Sequence, residues 1–238
     1  MTTMMVDNIP GQLLALLAPS HCHWCAGDPG AAPACASCAA SLPHNRRACR
    51  ACALPLPSAT PLSVCAQCLE QAPAQDSTWT AFRYESPVAQ AIVELKFRGR
   101  LAPAHVLGHL VADALARRAA PLPELLIPVP LHAQRLRQRG YNQALELGRP
   151  IARRLSLRLV PFAVRRTVAT GEQTRLDAAS RRRNVRGAFA VEAAVVRGRD
   201  VAVLDDVITT GATVAELACA LRVAGAARIE AWAVARAV

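Results

Sequence analysis

Lysine is almost missing from this 238-residue chain. Lys96 is the one lysine among 28 basic residues, and the rest are arginine. Aromatic residues make up 4%, so the core must be aliphatic and platforms for stacking nucleic-acid bases are scarce. No apolar run approaches the roughly 20 residues that span a bilayer, which speaks against membrane insertion. The opening stretch "IPGQLLALLAP" is short, carries no basic flank and runs straight into cysteines. It reads as a leader helix over residues 1–20 rather than an export signal, and a cytoplasmic location is expected. A GxxxxGK phosphate loop is also absent, which removes the nucleotide hydrolases built on it.

Positive charge is plentiful and concentrated. Residues 131–200 hold 16 Arg against five acids, while the remainder balances at 12 basic and 12 acidic. The whole net charge of +11 therefore lies in that segment. Two readings stand: a solvated arginine-rich face, or a surface that grips phosphates, for which the guanidinium fork is well shaped.

Eight of the nine cysteines fall in four CxxC pairs: "CHWC", "CASC", "CRAC" and "CAQC". With no export signal, disulfides are not expected. A CxxC turn lets two thiolates meet one tetrahedral ion, and a second pair completes the site. Two structural zinc ions are the first choice, with a redox or iron–sulfur role as the alternative. The simplest pairing is sequential: Cys22, Cys25, Cys35 and Cys38, then Cys49, Cys52, Cys65 and Cys68. An interleaved cross-brace satisfies the same spacing. Cys219, alone in an apolar helical stretch, reads as ordinary core.

The organisation follows. A cysteine module at 21–72 has too little apolar bulk to fold without metal. From 73 to 238 strands alternate with helices, which argues for a parallel sheet flanked by helices. "TWTAFRYE" is expected as a strand, and "SPVAQAIVELKFRG" as a helix with Pro87 in its first turn. "PELLIPVPL" reads as a buried strand. A helix should start near Tyr141, with Gly140 marking its start and Pro150 kinking or interrupting it. A strand is expected near 157–165, an Arg-rich loop at 167–186, and a further strand, which could run antiparallel, at "GAFAVEA". "RDVAVLD" should be a central parallel strand, followed by a helix ending at Gly225 and a closing strand.

The stretch "VAVLDDVITTGAT" carries the chemistry. In an open α/β sheet, ligands bind beyond the carboxyl ends of the strands, where Asp205 and Asp206 stand. Val207, Ile208, Thr209, Thr210, Gly211, Ala212 and Thr213 then lead into a helix N-terminus, whose amides and dipole attract phosphate. Carboxylates would repel that phosphate, so their natural partners are sugar hydroxyls or a divalent cation. A phosphate on one side and a diol or Mg2+ on the other describe a ribose 5-phosphate.

This stretch resembles the phosphoribosyltransferase signature, in which apolar residues, an acidic pair and a Thr/Gly-rich loop follow one another. The resemblance implies a type I phosphoribosyltransferase fold that binds phosphoribosyl pyrophosphate (PRPP). The loop would take the 5-phosphate, and Asp205 and Asp206 would act as the catalytic acids on the ribose hydroxyls. An N-terminal double zinc ribbon before such a domain resembles the ComF family of competence and DNA-utilization proteins. "LKFRGR", "IPVPLHAQRLRQRGYNQA" and "QTRLDAASRRRNVRGAF" are its further marks. Lys96, Arg98, Arg135 and Arg139 would reach the PRPP site, with a surface role open for Lys96 and Arg98. Arg182 and Asn184, in the arginine-rich loop, would close over the ligand; the alternative is a solvated basic loop or one that contacts nucleic acid. His132 either caps, packs or acts in chemistry. The implied activity is transfer of the phosphoribosyl group with Mg2+ to an unknown acceptor. The alternative is a non-catalytic protein that binds single-stranded DNA or senses PRPP, alongside DNA-uptake machinery.

Overall fold

The computed structural model of the chain describes residues 21–30, 32–57, 63–168 and 187–238. The expected leader helix and most of the expected arginine-rich loop, with Arg182 and Asn184, lie outside the described residues. The chain divides into two compact units, 1–41 and 42–238. In the first, the turn at Cys22–Cys25 is followed by helix α1 (Ala36–Ser41).

The second unit begins with the other two CxxC pairs and helix α2 (Ala66–Glu70). Strand β1 (Ser77–Arg83) leads to helices α3 (Val88–Phe97) and α4 (Ala102–Ala116). Strand β2 (Leu125–Pro128) is fully buried and precedes helices α5 (Ala133–Arg139) and α6 (Gln143–Leu155). Three short strands follow: β3 (Arg158–Leu159), β4 (Val164–Arg166) and β5 (Phe189–Val191). Then come helix α7 (Ala193–Val196), strand β6 (Asp200–Ile208), helix α8 (Ala212–Val223) and strand β7 (Arg228–Arg236).

Five strands form one sheet in the order β1-β7-β6-β2-β3, every pair parallel. The run Val201–Leu204 is buried throughout, as a strand covered on both faces requires. The expected parallel sheet with flanking helices is therefore present, with β6 at its centre. From β2 the chain moves outward to β3, and from β6 it moves outward the other way to β7. The gap between the ends of β2 and β6 is thus a topological switch point, where open α/β sheets place their crevice. The exposed side of β1 is covered by the segment before it: Thr78 N–H donates to Arg50 O (2.8 Å) and Arg83 N–H to Pro43 O (2.7 Å).

Several local expectations are revised. The helix expected from Tyr141 is the second of two. Gly140 does not start it but ends α5 in the left-handed conformation (φ 83°), and Asn142 caps α6 by accepting from Ala144 N–H at 2.9 Å. Pro150 leaves α6 unbroken through Leu155. It sits against α4 where Gly108 makes room, since a Cβ there would lie 2.4 Å from Pro150 Cγ. The strand expected at 157–165 is split at Pro161: β3 joins the main sheet, while β4 pairs antiparallel with β5 in a separate ribbon. Cys219 is exposed rather than core. The buried stripe of α8 is Val214, Leu217, Ala218 and Leu221, and at about 100° per residue position 219 turns off it.

Candidate functional site at the end of the central strand

Asp205 and Asp206 are adjacent on β6, and successive side chains leave a strand on opposite faces. Asp206 meets Lys96, the last cation of α3, with Nζ 2.8 Å from Oδ1. Asp206 is 2% exposed, and among the described residues its Oδ2 is buried without a hydrogen-bond partner. Asp205 Oδ1 accepts from the backbone N–H of Asp206 at 2.8 Å. Burial, and then the charge of Asp206, push the Asp205 carboxyl up to about 7. Lys96, that backbone N–H and Arg166 pull it down only in part.

Beyond Ile208 the chain turns through Thr209 and Thr210 to Gly211, whose φ of 77° is a conformation that glycine adopts without strain. Helix α8 begins at Ala212, whose N–H is met by Thr210 Oγ1 at 3.3 Å. The first-turn amides of a helix lack intrahelical acceptors, so this end of α8 is suited to an anion.

A cavity of about 240 Å³ lies over this corner. Lys96, Arg135 and every residue from Asp205 to Thr213 line it. A second cavity of about 280 Å³ shares Lys96 and Arg135 and adds Phe97, Gln138, Arg139 and Tyr141. Arg139 lines only this second one, where its guanidinium stands 5.8 Å from the ring of Phe97. Burial first, and then the neighbouring charge of Arg135, lower the Arg139 pKa. Arg98 lines neither and pairs with Glu94 at 3.9 Å on the surface. His132 caps α5, its Nδ1 accepting from Gln134 N–H at 3.3 Å.

Three contributors were missed in the sequence. Tyr84 follows the end of β1, Arg166 ends β4, and both line the first cavity. Their one available signal is position at a strand end. The third, Arg236 at the end of β7, lies behind the loop and not in the cavity.

The cysteines gather sequentially, with no interleaving: Cys22, Cys25, Cys35 and Cys38 in one group, Cys49, Cys52, Cys65 and Cys68 in the other. Sulfur atoms stand 3.8 Å apart for Cys25–Cys35 and 3.7 Å for Cys52–Cys65. Zn–S bonds of about 2.3 Å in a tetrahedron place sulfurs about 3.8 Å apart, so the spacing fits. Burial raises the Cys22 thiol, but the amides of Cys35, Cys25 and Trp24 outweigh it and bring it to about 6. The same balance, with the amides of Cys65, Cys52 and Ala51, brings Cys49 to about 7. Hydrogen bonding to Cys35 pushes Cys38 up to about 12, and burial pushes Cys52 to about 11. Each group thus mixes thiols shifted down (Cys22, Cys35 and Cys49) with thiols shifted up (Cys38, Cys52 and Cys68), and a bound dication would favour the thiolate form of all four.

No family model matches the chain. Over 176 residues it is 39% identical to DNA utilization protein YhgH of Escherichia coli O6:H1, covering 72% of this chain and 77% of that one. Over 179 residues it is 37% identical to competence protein F of Haemophilus influenzae, covering 73% and 78%. Among solved structures it resembles glutamine PRPP amidotransferase from B. subtilis, at 18% identity and a TM-score of 0.41 over 59% of this chain and 30% of that one. The fold class follows from the strand order and crossovers themselves.

Proposed function

The chain belongs to the ComF family, that of DNA utilization protein YhgH and competence protein F, and on that premise we propose that its cleft binds PRPP with Mg2+. The observation that carries this reading is that Asp205 and Asp206 line one cavity together with the whole loop from Val207 to Thr213. An ionised carboxylate offers only acceptors, so what completes it is a hydroxyl donor or a cation. Ribose hydroxyls supply the first and Mg2+ the second.

In this reading Thr209–Thr213 hold the 5-phosphate through backbone amides and threonine hydroxyls. Asp205 and Asp206 hold the ribose, and their charge favours the positive character that the sugar ring develops as pyrophosphate leaves. Lys96 fixes Asp206 in the free protein and stands where it can turn to the pyrophosphate. Arg135 and Arg166 face the same cleft, and a guanidinium fork holds a departing phosphate well. Bound Mg2+ would neutralise part of the pyrophosphate charge. The four-cysteine groups would each hold one structural zinc ion. As with the relatives named for competence and DNA utilization, the biological setting would be uptake or use of DNA.

The test is calorimetry of the purified chain with PRPP and Mg2+, followed by pyrophosphate release with candidate nitrogen acceptors. Release with one acceptor only makes the protein a phosphoribosyltransferase. Binding without release under any acceptor leaves a PRPP sensor.

A second reading has its own observation. Phe97 is 67% exposed beside Arg139, an aromatic face with cations around it. Single-stranded nucleic acid is held by such pairings, and base stacking on one ring is worth about 1–3 kcal/mol. A Phe97→Ala variant that binds single-stranded DNA as well as the parent at low salt removes this reading.

A further inference from the structure

The Cys49–Cys52 knuckle and the residue after it turn four consecutive carbonyls toward the rest of their unit. Arg50 O accepts from Thr78 N–H at 2.8 Å. Ala51 O accepts from Thr78 Oγ1 at 2.6 Å and from Gln75 Nε2 at 3.2 Å. Ala53 O accepts from Asn45 Nδ2 at 2.8 Å. Cys52 O, on a residue of the four-cysteine group, accepts from Arg236 Nε at 2.9 Å.

Arg236 is the last residue of β7 and is 8% exposed. Its Nη1 faces three carbonyls that share its two hydrogens: Ile208 O at 3.1 Å and Thr209 O where the loop begins, and the neighbouring Ala237 O. Among the described residues no carboxylate pairs with it. A buried guanidinium is costly unless hydrogen-bonded, so its carbonyl acceptors are what hold it in place.

The ladder between β6 and β7 ends at the pair Ile208 and Arg236, so Thr209 is the first loop residue without a strand neighbour. Arg236 takes over there. In a trans peptide the C=O and the following N–H point in opposite directions. Ile208 O is also held by Ala237 N–H at 3.0 Å, so it is at Thr209 that Arg236 acts alone: drawing Thr209 O to the guanidinium aims the N–H of Thr210 away from it. Both threonines line the cavity, and Arg236 does not.

We propose that Arg236 is a positioning residue that carries the metal-held geometry of the Cys49–Cys52 knuckle to the phosphate loop, so that metal loss from the second group loosens that loop and weakens phosphate binding. The inference rests on the reading that Thr209–Thr213 take the 5-phosphate. Its physical core is that one side chain bridges a metal-ligand residue and the anion loop. A four-cysteine group whose cysteines line neither cavity thereby gains a handle on the ligand.

The test compares the full chain as wild type, Arg236→Gln and Arg236→Lys, each zinc-loaded and after a zinc-selective chelator has been applied and removed. Two quantities are read: amide hydrogen exchange over residues 208–213, and the calorimetric affinity for PRPP with Mg2+. Stripping zinc from the wild type should speed exchange in that segment and weaken PRPP by about tenfold each, the scale of a lost charge-assisted hydrogen bond. Zinc-loaded Arg236→Gln should match the stripped wild type while still holding two zinc ions, and stripping it should add little. Arg236→Lys, which keeps the charge with fewer donors, should fall between.

Unchanged loop exchange on stripping the wild type, or wild-type exchange in Arg236→Gln, overturns the proposal. So does equal acceleration at Val201–Leu204, which would mark general loosening rather than positioning. If Arg236→Gln does not fold, the wild-type and Arg236→Lys pairs carry the same comparison. If the zinc-loaded wild type binds no PRPP, the reading of the cleft fails, while the exchange pattern still decides this inference.

Discussion

Lys96 Nζ stands 2.8 Å from Asp206 Oδ1, joining the single lysine of the chain to a deeply buried acid. The two sides of this pair differ. The Asp206 side chain is 3% exposed and that of Lys96 is 24% exposed. Removing the lysine strands a buried carboxylate, whereas removing the acid leaves an ammonium with access to water. Lys96→Met should therefore cost about 3–5 kcal/mol. Asp206→Asn should cost clearly less and yet abolish PRPP binding. Denaturant unfolding and calorimetry on the two variants check both halves, and equal stability losses would contradict the asymmetry.

The raised Asp205 carboxyl gives a pH dependence with a definite sign. Its pKa in the folded chain, about 7, lies above the ordinary carboxyl value of about 3.9. Folding therefore takes up a proton between those values, and the stability this contributes is full below about pH 4 and lost as pH rises through about 7. Ligand binding runs the other way. Hydroxyls and Mg2+ favour the ionised acid, so PRPP affinity should rise from about pH 6 to about pH 8. Asp205→Asn should flatten that slope, which titration calorimetry at several pH values measures.

Gly211 holds the turn between β6 and α8 at a φ of 77°. A Cβ there meets nothing closer than Ile208 Cγ2 at 3.9 Å, so the difficulty is conformational rather than steric crowding. Gly211→Ala should cost about 1–2 kcal/mol in stability. It should weaken phosphate binding by more than that strain alone, because the loop relaxes away from the geometry that aims its amides. Unchanged PRPP affinity would show that the loop tolerates another path.

The two cysteine groups lie in different compact units, and their loss should be felt differently. Cys22→Ser should lower the metal content from two ions to one and leave the unfolding transition of the 42–238 unit in place. Cys49→Ser should also remove one ion, but it should lower that transition, since the knuckle carbonyls hold β1 and Arg236. Metal analysis with calorimetric melting distinguishes them; identical melting curves would place both groups outside the stability of the sheet.

The acid pair, its loop and the eight cysteines were legible because each is a contiguous pattern. The spacing of a CxxC, or of two acids before a glycine turn, is fixed by local backbone geometry that neighbours along the chain supply. Gly140 was misread because a glycine between two amphipathic stretches suits the end of one helix as well as the start of the next. Its positive φ, visible only in three dimensions, decides for the end. Cys219 was misread because an alanine-rich helix blurs its own buried stripe, and the packing of α8 on the sheet settles which side is outer.

What the sequence determined by itself is the local pattern: an acidic pair before a threonine–glycine loop, cysteines in CxxC pairs, and alternating strands and helices. These follow from residue types at short spacing. The aliphatic core expected from the scarcity of aromatics is corrected by Trp232 and Phe82, which are fully buried on β7 and β1. Tertiary structure alone decided which cations face the acids. Lys96, Arg135 and Arg166 come from three separate elements and converge because β2 and β6 open a crevice at the switch of strand order. It also decided that Arg236, 184 residues from Cys52, joins the Cys49–Cys52 knuckle to the loop that begins at Thr209. No local pattern encodes that link, because it depends on which strand ends lie side by side.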